Sequence, residues 1–336
     1  MNRTQWVLAV LLVVQLALLG VMALRSGGGE DEESRALLPE LEAFSPGRVQ
    51  IDGNNDESVT LVRGEEGWTL ADPAGYPANG EKVDLLLEKL EGVEVRRPVV
   101  SSPRYHATFK VAESEYERRL RIWDSADGQP RIDLFLGSSP NVDVSHVRLA
   151  GDDRVYEAQG LGSFDLRVEA ISWIERKLID VSFDDVVAVK LRNAHGEFEL
   201  AREEGSWSLL DPAGREQALD GAKADTWVRS LTTLYLSAPA GPLDDPDRGL
   251  ADPEATLEIR WRTLADQPEA EAEQESAAPV SVTEERLTVA VGPEIDGEEG
   301  KRQASRSGLD FAVILSRFDA EKMTNQKLAD LLPDPD

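Results

Sequence analysis

Residues Val59–Gly75 read VTLVRGEEGWTLADPAG, and 139 positions later Phe198–Gly214 read FELAREEGSWSLLDPAG. Nine of the seventeen positions are identical: Leu61/Leu200, Arg63/Arg202, Glu65/Glu204, Trp68/Trp207, Leu70/Leu209 and the Asp-Pro-Ala-Gly quartet. A likeness at fixed spacing settles architecture before any motif does, and this one reads as a duplication. In each copy an alternating run (V-T-L-V-R, F-E-L-A-R) is followed by an acidic turn and a second alternating run (G-W-T-L, S-W-S-L). That is the pattern of a β-hairpin. The quartet after it is turn chemistry, in which Pro sets φ, Gly takes the conformation other residues avoid and Asp caps.

Working outward, Gly80-x-Lys82-x-Asp84 matches Gly221-x-Lys223-x-Asp225. Apolar residues then fall at Val83, Leu86, Leu87, Leu90 and Val93 in one copy and at Ala224, Trp227, Val228, Leu231 and Leu234 in the other. The i, i+3, i+4, i+7 spacing predicts one amphipathic helix per copy. Short alternating runs come next: Thr108–Val111, Arg119–Trp123, Ile132–Gly137 and Val144–Leu149, then Thr256–Trp261, Leu287–Gly292 and Phe311–Leu315. The expected class is α+β, with two tandem repeats (48–170 and 187–332), each a mostly antiparallel sheet covered by one long helix. A junction over 171–186 is expected to form a short helical turn packed by Trp173 and Leu178. Ala265–Glu285, rich in Glu, Ala, Gln, Ser and Pro, reads as a flexible acidic loop.

Towards the N-terminus, Trp6–Leu24 (WVLAVLLVVQLALLGVMAL) carries no charge, and Gln15 is its one strongly polar residue. As a helix it spans roughly 28 Å, the thickness of a hydrocarbon core. Residues 1–25 are therefore expected to be a cytoplasmic tip and a transmembrane helix, and 26–47 an acidic, Gly-containing stalk. The rival reading is a cleaved signal peptide, for which Met22-Ala23-Leu24-Arg25 is a poor cleavage site. The chain of 336 residues has 36 Lys+Arg against 64 Asp+Glu, a net charge of −28, and no cysteine. Zero cysteine excludes a disulfide scaffold, a thiol nucleophile and thiolate zinc sites. The acidic balance argues against nucleic acid, whose binding rests on Lys and Arg neutralising phosphates.

The ordered set of a membrane segment, the two Trp-x-Leu-x-x-Pro hairpins (Trp68–Pro73, Trp207–Pro212), the junction Trp173–Asp180 and the Gly249–Pro253 Gly-Leu-x-x-Pro turn resembles the uncharacterised DUF4340 family. The likeness covers about residues 45 to 332. The first copy departs from it, with Arg104-Tyr-His106-Ala-Thr where the Gly-Leu-x-x-Pro turn belongs. The resemblance carries over no catalytic residues. It implies an accessory protein of ABC-type transport systems, of the gliding-motility or polysaccharide-export kind, in the bacterial cytoplasmic (inner) membrane.

A search for chemistry assigns no catalytic, cofactor-binding or metal-binding residue. His106, His146 and His195 lack ligand-type neighbours at i+3 or i+4, and the HExxH, GxSxG, P-loop and GxGxxG patterns are absent. Asp152-Asp153, Asp184-Asp185 and Asp244-Asp245-Pro246-Asp247 read as solvated turns, with calcium over Asp244–Asp252 as the rival. Trp68 and Trp207 invite a ligand-stacking reading, yet their place beside an alternating Leu in a strand favours a sheet anchor. The structural anchors are thus Trp68, Asp72, Pro73, Gly75, Trp207, Asp211, Pro212 and Gly214. The expectation is a non-enzymatic, single-pass membrane protein held by Trp6–Leu24, its soluble region extracytoplasmic, partnered by transporter subunits. The alternative is a glycan- or peptide-binding module using a cleft between the repeats.

Overall fold

The computed structural model describes residues 34–125, 128–210, 218–264 and 282–334, together with Gln15. By their contacts they group into two units, Met1–Ser58 with Asp84–Arg167 and Val59–Val83 with Val168–Asp336. Numbered along the chain, the strands begin with β1 (Arg35–Ala36), β2 (Arg48–Gly53), β3 (Ser58–Gly64) and β4 (Gly67–Leu70). Helix α1 (Gly80–Glu91) comes next, and the division between the units falls inside it, after Val83.

The first unit continues with β5 (Glu94–Val95), β6 (Val111–Ala112), β7 (Glu115–Tyr116), β8 (Arg118–Trp123), β9 (Ile132–Leu136), β10 (Val144–Leu149) and β11 (Tyr156–Gln159). Its main strands run β11-β10-β9-β8-β2, every pairing antiparallel. Strand alternation decides which side chains enter the core. In β2, Val49 and Ile51 are buried while Arg48, Gln50 and Asp52 line the other face. That outer face is closed by cross-strand charges: Arg121 to Asp52 at 2.5 Å and Arg119 to Asp133 at 2.7 Å. Gly137 has to be glycine, because a Cβ there would lie 2.0 Å from the Phe109 carbonyl oxygen.

In the second unit, β3 and β4 form a hairpin with Leu61 opposite Leu70 and Arg63 opposite Trp68. The junction holds a short helical turn at Ala170–Trp173, then β12 (Lys177–Asp180). Further along lie β13 (Val186–Asn193), β14 (Gly196–Glu203), β15 (Ser206–Leu209), helix α2 (Gly221–Leu231), β16 (Thr233–Pro242), β17 (Ala255–Leu264), β18 (Val282–Glu294), β19 (Arg302–Arg306), β20 (Phe311–Leu315) and helix α3 (Arg317–Thr324). The strands β12 to β20 make one nine-stranded antiparallel sheet in the order β12-β16-β20-β19-β18-β17-β13-β14-β15. Alternation again picks the core: Ala255, Leu257 and Ile259 in β17 and Leu287, Val289 and Val291 in β18.

The α+β expectation of two repeats, each covered by one long helix, is overturned. Strand accounts for 42% of the described residues against 19% helical, and the architecture is mostly β. The physical reason is one of width. Nine strands about 4.8 Å apart span roughly 38 Å, whereas one helix with its side chains is about 10–12 Å across. The α-helices among the described residues, α1, α2 and α3 (Arg317–Thr324), are also short, at 12, 11 and 8 residues. A helix of that size can roof only two or three strands.

The expected architecture also began with a transmembrane helix. Among the described residues no helix is long and apolar enough to cross a membrane. The stretch Trp6–Leu24 lies, Gln15 apart, outside the described residues. Of the expected acidic loop, 265–281 also lies outside them, and β18 begins at Val282.

Candidate functional site

Trp68 and Trp207 hold the same place, second in β4 and second in β15, and are 5% and 9% exposed. Their indole faces are packed rather than offered to a ligand. Arg63 lies 5.7 Å from the Trp68 ring centre and Arg202 lies 5.7 Å from that of Trp207, each Arg being the cross-strand partner of its Trp. Around Trp207 the cluster grows: Phe183 stacks at 6.5 Å, with the guanidinium groups of Arg202 and Arg229 at 4.4 and 3.6 Å from its ring centre. Such cation–π contacts contribute about 0.5–1 kcal/mol each at exposed sites and more when desolvated. The indole N–H of Trp207 donates to Asp225 Oδ1 at 2.8 Å. That of Trp68 is buried and finds no hydrogen-bond partner among the described residues.

The first Asp-Pro-Ala-Gly turn is described in full. The Asp72–Pro73 peptide is cis, Gly75 has φ +82°, and the Gly75 amide donates to the Leu70 carbonyl at 3.0 Å. Asp72 is exposed. Tyr76, next in the chain, is buried against Phe311 with ring centres 5.2 Å apart. Burial pushes its phenol up to about 12, with Arg306 opposing. Asp211, Pro212 and Gly214 lie outside the described residues.

Among the described residues, His146 has the arrangement that suggests a catalytic triad. Its Nδ1 is 3.1 Å from Ser138 Oγ, and its Nε2 is 4.0 Å from Glu157 Oε1. The proton order is wrong for nucleophilic catalysis. Nδ1 is closer, at 2.8 Å, to the Ser138 carbonyl oxygen, an acceptor that requires Nδ1 to carry hydrogen. The Ser138 hydroxyl has its own acceptor in the Phe109 carbonyl at 3.2 Å. No lone pair is left to take a proton from Ser138. Phe109 stacks on the imidazole at 4.5 Å, completing a structural packing role. His106, also buried, directs Nε2 to the Asp153 carbonyl at 3.0 Å. His195 is exposed in the β13–β14 turn, where its amide donates to Asn193 Oδ1.

The acidic pairs act locally. Asp152 is held below the usual carboxylate range by the side-chain hydrogen bond from Arg154. Asp184 and Asp185 sit in a short helical turn, Phe183–Asp185. Asp245 caps the turn Pro246–Arg248 by accepting from the Asp247 amide at 3.1 Å, and Arg248 pairs back to it at 3.4 Å. Among the described residues no group of three or more acids and histidines is placed to hold a metal.

A cavity of about 370 Å³ opens in the second unit, lined by Arg192, Asn193, Ala194, Pro253, Glu254 and Thr324. Its polar groups are largely spent. Asn193 Nδ2 donates to the carbonyls of Met323 and Gln326, Thr324 donates to Ala320, and Glu254 pairs with Arg302 at 2.5 Å. Arg192 is exposed at the rim. This arrangement offers an exposed cation, while the Thr324 hydroxyl and the Glu254 carboxylate are engaged by Ala320 and Arg302. Sequence reasoning missed it because Thr324 comes from α3, a helix not foreseen. Its start was nevertheless signalled: Ser316-x-x-Asp319 is a capping pattern, and Ser316 Oγ accepts from the Asp319 amide at 3.2 Å.

Comparison with known proteins gives one match. A family model described as "Domain of unknown function (DUF4340)" matches residues 68–253, more than half of the chain. The chain belongs to the DUF4340 family. No curated protein and no solved structure matches it.

Proposed function

We propose that this chain is a non-enzymatic, membrane-anchored accessory or scaffold protein of a membrane transport complex. In this reading Trp6–Leu24 inserts into the bacterial inner membrane, the acidic region lies outside the cytoplasm, and transporter subunits are its partners. The single observation that carries the anchoring is the uncharged run of 19 residues, with twelve Leu or Val and Gln15 as its one strongly polar side chain, ahead of a strongly acidic remainder. Each Leu or Val favours insertion by about 0.3–0.6 kcal/mol. The non-enzymatic part is supported by the use to which the Ser138–His146 pair is put, both groups being engaged by backbone carbonyls.

The transport association rests on the family resemblance, and the acidic balance weighs against nucleic acid as a partner. The test is purification of the tagged full-length chain from detergent-solubilised membranes, followed by identification of the proteins that co-elute in stoichiometric amount. Permease and ATPase subunits are the expected result. A chain that leaves the membrane in alkaline carbonate without detergent, or one that elutes alone, would overturn the reading.

A further inference from the structure

The Gly-x-Lys-x-Asp opening shared by α1 and α2 has a job that neither the hairpins nor the proposed function uses. Before α1, the Asn79 amide donates to the Trp173 carbonyl at 2.7 Å, and Lys82 Nζ donates to the Ile174 carbonyl at 2.8 Å. Before α2, the Asp220 amide donates to the Leu331 carbonyl at 2.9 Å, and Lys223 Nζ donates to the Leu332 carbonyl at 3.0 Å. The two helix starts therefore grip a short helical turn by the same two consecutive carbonyls. In both, the residue whose carbonyl meets the amide is buried, Trp173 at 4% exposure and Leu331 at 2%. The grip reads backbone and one apolar side chain, so it tolerates different sequences.

Beyond the grip the two segments part ways. After Ile174 the chain enters β12, fixed in the nine-stranded sheet through its pairing with β16. After Leu332 come Pro333 and Asp334, both exposed, and Asp334 adds one ion pair to Lys223 at 2.6 Å with its own side chain 89% exposed. An exposed pair of this kind holds weakly. On the other side, Asn193 fixes the chain at the Met323 and Gln326 carbonyls.

We propose that Lys327–Asp334 is a releasable strap, hinged just after Gln326 and latched by Lys223, which covers a socket able to accept a peptide segment of the same chemistry. Lifting it frees the Asp220 amide, the Lys223 ammonium and the hole filled by Leu331. The chemistry that fits is an apolar residue with two free carbonyls and an acid three positions later, as in Leu331 to Asp334.

Hydrogen exchange on the full-length chain tests the latch. The Asp330 and Leu332 amides, bonded within the strap to the Lys327 and Ala329 carbonyls, are expected to exchange well before the amides of β17 and β18, while Ser172 in the matching turn stays protected. Lys223→Met is expected to speed exchange at 330 and 332 about fivefold or more without changing β17 and β18. Equal protection of strap and sheet, or no response to Lys223→Met, would overturn the proposal. A second arm uses full-length Leu331→Ala and a labelled peptide of sequence 327–334. Saturable binding that is lost in Leu331→Ala/Lys223→Met supports the socket. No binding, or binding indifferent to Lys223, overturns it.

Discussion

Trp68 and Trp207 share a strand position but not a hydrogen-bond partner, and the difference sets what each indole nitrogen contributes. Trp207→Phe and Trp68→Phe both put a smaller phenyl ring where the indole packs and share that loss, but Trp207→Phe also leaves Asp225 without the donor it now has, an added cost of about 1–2 kcal/mol. Trp68→Phe loses a buried N–H with no partner among the described residues, so its cost is expected to be the packing loss alone, smaller than that of Trp207→Phe by about 1–2 kcal/mol. Urea unfolding of both variants checks the contrast; equal losses would refute it. Tyr76 gives a second test. Its phenol ionises near 12 in the folded chain rather than near 10 because burial disfavours the phenolate. A folded-state pKa above the unfolded one means the contribution is complete below pH 10 and is lost as pH rises towards 12. Alkaline unfolding should therefore move to higher pH in Tyr76→Phe. Absorbance titration should lose, in Tyr76→Phe, a phenolate signal that rises at about pH 12 in the unsubstituted chain.

Local patterns in the sequence carry over to single elements far better than to their assembly. Val144–Leu149 and Phe311–Leu315 are strands with the bounds their alternation indicates, and both helices following the hairpins begin at Gly80 and Gly221 as the paired motif implies. Each of those signals is contained in a few consecutive residues. The size of the sheet is not, because a nine-strand order depends on pairings such as β16 with β20, joined across some seventy residues of chain. An apolar stripe shows that a helix packs on something, without saying how much of that surface it covers. The same limit holds for the candidate cavity, whose lining comes from three separated stretches. Asp220 tests the element scale. Its carboxylate accepts from the Ala222 and Lys223 amides at the start of α2, so Asp220→Ala should cost about 0.5–2 kcal/mol, read from thermal melts. Gly75→Ala should cost about 1–2 kcal/mol for a different reason: a Cβ there has room, with Phe311 Cζ at 3.6 Å, and the penalty is the positive φ alone.

For the whole molecule, the charge pairs set across the sheets explain how so acidic a chain keeps its few basic residues in use. In the second unit Arg260 meets Glu199 and Glu284 while Arg286 faces Glu258, so these arginines are spent as cross-strand partners. Each such pair is worth about 0–1 kcal/mol, and the apolar alternation beneath supplies the larger share. The cooperative unit is then a matter of which segments share a core. Residues 59–83, although they precede most of the first unit's main strands in the chain, group by their contacts with residues 168–336. Tyr76 stacks on Phe311, and the α1 start grips the Trp173 turn through Asn79 and Lys82. By that grouping Trp68 falls in the same unit as Trp207. Replacing either by Ala should cost about 3–5 kcal/mol, the range for emptying a large aromatic site. Both losses should lower the same transition in a calorimetric scan, leaving any transition of residues 84–167 where it was. If Trp68→Ala instead lowers a transition that Trp207→Ala leaves untouched, the hairpin β3–β4 folds with the first unit, and the grouping by contacts does not describe how the chain melts.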